Sequence, residues 1–151
     1  VGLDEALAEA QAGGFAERDP TNDIEGWDTA CKLLILANFG LGADLTMEDL
    51  AVEGIQAVTS GHIAQWRADG LAPRLVGSLV RDGDAFRAAV GIRAYPPNDP
   101  FAHVAGKNKA IRIETDAMGE IVASGGGSGP MATAAAALKD LEHILQARSL
   151  R

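Results

Sequence analysis

Several things are scarce in this chain, and each scarcity removes a class of protein. Cys31 is the only cysteine among 151 residues, so no disulfide framework can form, and a reducing cytoplasm fits. Basic residues are outnumbered, 13 against 21 acidic ones, and none of them gather into a stripe. A formal charge of -8 argues against nucleic-acid binding. No apolar run approaches the roughly 20 residues needed to span a bilayer, and no leader-like succession of basic, apolar and small residues is visible. Histidine is sparse as well. His62, His103 and His143 are scattered, so no Ser-His-Asp arrangement and no histidine metal pair can be read. Each is expected to be an ordinary surface or satisfied residue.

What is present suits one domain with a sizeable core, since 47% of the residues are hydrophobic. The chain opens on Val1 without methionine, and a helix starts almost at once at Leu3. The expectation is a processed or excised segment of a longer polypeptide. Residues 3–12 read as that helix, ended by Gly13-Gly14. Residues 15–25 read as a loop, and 26–39 as a second helix that is apolar around most of its circumference. Such a helix packs between layers, with Trp27, Ala30, Cys31, Leu34, Ile35 and Asn38 on one side. Thr46 and Asp49 form a capping pattern for a turn at 47–51. A strand follows at 52–58, then a helix at 61–69 capped by Thr59 or Ser60. Strands at 73–81 and 85–95 flank an Asp82-Gly83 turn, and strands at 109–115 and 120–124 flank Asp116–Gly119. A final helix covers 130–147. Clustered antiparallel strands with separate helices predict an α+β sandwich: a mixed, largely antiparallel sheet with helices on one face.

The chemistry concentrates between Gly14 and Lys32. Glu17, Asp19, Asp23 and Glu25 crowd one turn-rich loop. Asp28 and Lys32 then stand one helical turn apart, so a carboxylate and an amine share a face. The common outcome for such a pair is a solvated ion pair worth a few tenths of a kcal/mol. Here the adjoining Leu33-Leu34-Ile35-Leu36 predicts a partly dry face, where a lysine can transfer protons. The acids await a cation. Carboxylate metal sites need several converging oxygens, so an ammonium ligand is favoured over a metal. Gly125 to Pro130, with four glycines in five positions, opens onto a helix N-terminus that can meet an anion. A flexible hinge is the commoner meaning, and the spacing is not the dinucleotide fingerprint. Lys107 and Lys109 around Asn108 read as a solvated loop, and Cys31 as inert core.

These residues carry a resemblance. Gly14-Phe15-Ala16-Glu17, Asp19-Pro20, Asp23, Gly26 and Asp28-x-x-x-Lys32 resemble the substrate-binding signature of homoserine dehydrogenases. Val52-Glu53-Gly54-Ile55, Asp99-Pro100-Phe101-Ala102 through Gly106, and Gly127-Ser128-Gly129-Pro130 with Thr133-Ala134 follow in the family's order. The likeness spans residues 1–151 and corresponds to the family's catalytic, substrate-binding and dimerisation part. The N-terminal nucleotide-binding domain and the family's second active-site lysine are absent from it. The resemblance implies reversible reduction of L-aspartate 4-semialdehyde to L-homoserine with NADPH or NADH, on the route to threonine, methionine and isoleucine. It implies Lys32 as the catalytic residue and Glu17, Asp23 and Asp28 as substrate-binding residues. It places the backbone of Gly14 and Gly129 beside the nicotinamide cofactor. It further implies a homodimer and no turnover by this chain alone. The alternatives are a non-catalytic dimerisation module and an amino-acid-binding sensor derived from the same domain.

Overall fold

The computed structural model describes residues 2–14, 16–106, 108–126 and 129–149, with side chains given through Gln146. The chain divides between His103 and Val104 into two compact units. The first contains helix α1 (Leu3–Ala12), the short α2 (Thr21–Ile24), α3 (Trp27–Ile35), strand β1 (Leu50–Val52), helix α4 (Ser60–Ala68) and strands β2 (Ala72–Asp82) and β3 (Ala85–Tyr95). A 3-10 turn, Pro100–His103, closes it. The second contains strands β4 (Lys109–Thr115) and β5 (Gly119–Gly125) and helix α5 (Pro130–Ser149). The α+β expectation holds. Among the described residues, no helix is long and apolar enough to cross a membrane.

The first unit is built on a three-stranded mixed sheet in the order β1-β3-β2. β2 and β3 form a regular antiparallel hairpin, in register from Ala72 opposite Tyr95 to Asp82 opposite Ala85. Gly83, with φ 64°, makes the turn. β1 runs parallel to β3, with Val52 beside Val90. Strand residues alternate faces, so Leu75, Gly77 and Leu79 join Ala88 and Val90 on one side. Helix α3 lies on that side. Ala30 and Leu33 are buried there with Leu50, Ala88 and Val90, and Leu34, Leu45, Met47 and Val52 pack around them. Gly77 lets the helix come close, because a side-chain carbon there would lie 3.4 Å from Leu33. A shallow depression lined by Ala51, Ser78, Ala89 and Gly91 marks the other face.

Several limits differ from the sequence reading, each for a local reason. β1 covers 50–52 rather than 52–58. The Glu53 N–H still bonds Val90 O at 2.9 Å, but the chain then leaves the sheet, and the Ile55 N–H bonds Ile24 O at 2.8 Å. The expected loop at 15–25 contains the α2 turn. α3 starts only after Gly26, whose φ of 85° suits glycine. Its last turn, Leu36–Gly40, widens into a π-helix. There the side chain of Asn38 clasps Leu45, donating to its carbonyl and accepting from its N–H, both at 2.8 Å. The turn at 47–49 is 3-10, and α4 begins after Thr59, whose hydroxyl accepts from the His62 N–H at 3.2 Å. Cys31 is exposed, and so is Trp27, because the buried side of α3 runs through Ala30, Leu33 and Ala37 instead.

In the second unit β4 and β5 pair antiparallel with Ile113 opposite Ile121. Arg112 Nε lies 3.1 Å from Glu120 across the ladder. Ile111, Ile113 and Ile121 share the other face and are exposed. So are Leu138, Leu141, Ile144 and Leu145 along α5.

Candidate active site

The loop that carries the acids is pinned from three directions. Gln11 on α1 donates from Nε2 to Glu17 O at 2.9 Å. Asp19 accepts from the Thr21 hydroxyl at 2.6 Å and from its N–H at 3.2 Å, which starts α2. From below, Gly54 lies directly against Ile24 and Glu25. A carbon added there would stand 2.1 Å from Ile24 O and 2.6 Å from the Glu25 Cα. Only glycine permits that approach. Gly26 follows with Val90 and Val52 beneath it, each within 3.4 Å of where a Cβ would be. These contacts seat the first turn of α3 on the sheet and set the direction in which Asp28 and Lys32 project.

Lys32 Nζ donates to Asp28 Oδ2, as the spacing predicts. Among the described residues Lys32 pairs with Asp28 and not with Glu17 or Asp23. Glu17 and Asp23 are both exposed on the loop that leads into the pair. Glu25 instead receives the Trp27 indole N–H at 2.9 Å. The expected dry face is corrected here. The Lys32 side chain is 57% exposed and that of Asp28 44%. The reason is geometric. Ala30, Leu33 and Ala37 occupy the packed side of α3, and Asp28, Lys32, Ile35 and Phe39 recur on the opposite side at helical spacing.

Gly14 has φ 69° and closes α1, its N–H bonded to Gln11 O at 3.1 Å. Gly129, in the second unit, has φ 102°, and its carbonyl accepts the Thr133 N–H at 3.2 Å. A Cβ at either glycine would meet nothing within 4 Å. Phe15, Lys107, Gly127 and Ser128 lie outside the described residues.

Sequence reasoning missed three supports. Gly54 is one and Asn38 another. The third is Arg74, whose guanidinium donates to the carbonyls of Pro73, Phe101 and Ala102 at 2.8, 3.0 and 2.7 Å. It holds the Asp99–His103 turn, which Asp99 caps through the Phe101 N–H at 2.8 Å. An arginine directly after Pro73, ahead of the apolar run Leu75-Val76, was the available signal.

Two carboxylates are tuned by such local bonds. The Thr21 hydroxyl and N–H hold Asp19 below its ordinary value of 3.8. The Thr46 N–H and hydroxyl do the same for Asp49. A lowered folded value means stability that is present above about pH 4 and lost as pH falls through it. Asp49→Asn should therefore flatten part of the decline in melting temperature on the acid side. An identical acid-side slope in wild type and variant would contradict this.

The family model described as homoserine dehydrogenase matches residues 1–141. The chain belongs to the homoserine dehydrogenase family. The NAD(+)-dependent homoserine dehydrogenase of Pseudomonas canavaninivorans is 37% identical over 147 residues, covering 97% of this chain and 42% of that protein. The homoserine dehydrogenase of Bacillus subtilis is 36% identical, covering 95% of this chain and 33% of that protein. Among solved structures, S. aureus homoserine dehydrogenase at pH 6.5 superposes with a TM-score of 0.87 at 31% identity, over 97% of this chain and 37% of its own. The chain thus spans between a third and about two-fifths of the homoserine dehydrogenases it matches. A hyperthermophilic archaeal homoserine dehydrogenase mutant was solved in complex with NADPH and aligns with a TM-score of 0.73 at 31% identity, over 92% of this chain and 39% of its own.

Proposed function

We propose that this chain forms the substrate-binding wall of an active site that interconverts L-aspartate 4-semialdehyde and L-homoserine with a nicotinamide cofactor. One observation carries the reading. The Asp28–Lys32 pair stands on the open side of a helix whose other side is fixed in the core, directly after an acidic loop. An amine that must meet a substrate needs such a rigid mount.

The roles follow from the side chains. Lys32 gives a proton to the aldehyde oxygen as hydride reaches the carbonyl carbon, and takes it back from the hydroxyl in the reverse direction. Asp28 holds the Lys32 amine in position. Glu17 and Asp23 offer carboxylates to the substrate's α-ammonium group. The glycine backbone at 14 suits close approach of a flat nicotinamide ring, which supplies or accepts the hydride when bound. The described residues offer no dinucleotide cradle of their own, so the nucleotide-binding part is external to them. The enzyme serves synthesis of aspartate-derived amino acids in the cytoplasm, as a homodimer.

The isolated 151-residue chain is expected to give no NAD(P)H oxidation with aspartate semialdehyde. Joined behind the nucleotide-binding part of the Bacillus subtilis relative, it is expected to give turnover. A joined, folded polypeptide that binds dinucleotide yet does not react would refute the catalytic reading. It would favour the dimerisation module, for which the exposed isoleucine face of β4 and β5 speaks.

A further inference from the structure

The open side of α3 does not end at the reactive pair. Asp28, Lys32, Ile35 and Phe39 follow one another at intervals of four, three and four residues, a single stripe along the helix. Leu36 flanks it. Ile35 is 59% exposed, Leu36 51% and Phe39 92%. The stripe continues through the π-helical turn, which the Asn38 clasp on Leu45 keeps from fraying. A large phenyl ring almost wholly in water, in line with two more aliphatic side chains, marks a surface made to be covered.

We infer that Ile35, Leu36 and Phe39 are the docking strip for the nucleotide-binding part of the enzyme. The inference rests on the proposed function. Three observations select that occupant. Well over half of each relative's length lies outside the part this chain matches, so in those relatives the same polypeptide holds a further body that could cover such a strip. The strip shares its face with Lys32, and hydride transfer beside Lys32 requires the cofactor-bearing body to come to that face. Finally, α3 has apolar side chains on both sides while, among the described residues, only one side is packed. The second layer that such a helix demands is the body that brings the cofactor. Docking on Ile35, Leu36 and Phe39 also excludes water from Lys32, one turn away, so closure of the strip and drying of the amine are one event.

Hydroxyl-radical footprinting tests this, because it reads the reactivity of single side chains. It compares the isolated chain with the chain joined to the nucleotide-binding part of the Bacillus subtilis relative. The expected result is a several-fold fall in Phe39 oxidation on joining. Phe39→Ser should then raise Leu36 oxidation several-fold in the joined form, with the melting temperature of the isolated chain unchanged. Equal Phe39 reactivity in both forms overturns the inference. Protection already present in the isolated chain also overturns it: if independent of concentration, the chain covers the strip itself, and if growing with concentration, a second copy does. Turnover of Lys32→Ala, measured alongside, separates the two claims. Loss of turnover with an unprotected Phe39 leaves the catalytic reading standing and removes only the docking strip.

Discussion

Lys32→Ala in the joined enzyme is expected to lower kcat by about 10²- to 10⁴-fold, the range for removing a positioned proton donor. The fold should not notice. The side chain is more than half exposed and its ion pair with Asp28 is a surface one, so stability should change by no more than about 0.5 kcal/mol. KM should move far less than kcat, because the lost interaction belongs to the transition state. Lys32→Arg is not expected to rescue, since guanidinium does not give up its proton readily. A kcat within a few-fold of wild type would mean that another group moves the proton, and the role of the α3 pair would shrink to binding.

Gly54→Ala is expected to have the largest effect on stability, about 3 kcal/mol or more, read from urea unfolding of the isolated chain. The added methyl would fall 2.1 Å from Ile24 O and 2.6 Å from the Glu25 Cα. Both are backbone atoms, so no side-chain rotation can relieve the clash. The chain would have to part there, breaking the bond from the Ile55 N–H to Ile24 O. Gly91→Ala serves as the comparison, since nothing lies within 4 Å of its added carbon. If both variants unfold at the same urea concentration, the contact beneath the acidic loop is not what holds it.

These two residues differ in how visible they are before folding. Asp28 and Lys32 are four apart, and helical periodicity alone joins them. The β2–β3 hairpin was equally legible, because two strand-like runs flank the Asp82-Gly83 turn. Gly54 was not, since its role depends on a backbone some thirty residues earlier coming to rest against it. β1 was misplaced for the same reason. Val52 to Val58 has strand-like composition, but after Glu53 the chain leaves the sheet and Ile55 bonds to the loop at Ile24. The environment of Lys32 was misjudged differently. Leu33 to Leu36 does surround it with apolar residues, yet Leu33 faces the core while Leu36 faces out, and the described residues of this unit supply no covering layer. Fold class and the pairing of Asp28 with Lys32 were accessible to local rules. The loop's seat and the openness of the site depend on contacts between distant segments.

Arg74 has a consequence in acid. Its three partners are main-chain carbonyls, so no carboxylate takes part in these bonds. The pairs formed by carboxylates let go as protons are added. The tether at Phe101 and Ala102 contains no carboxylate, so the end of the first unit stays fastened to β2 as acid is added.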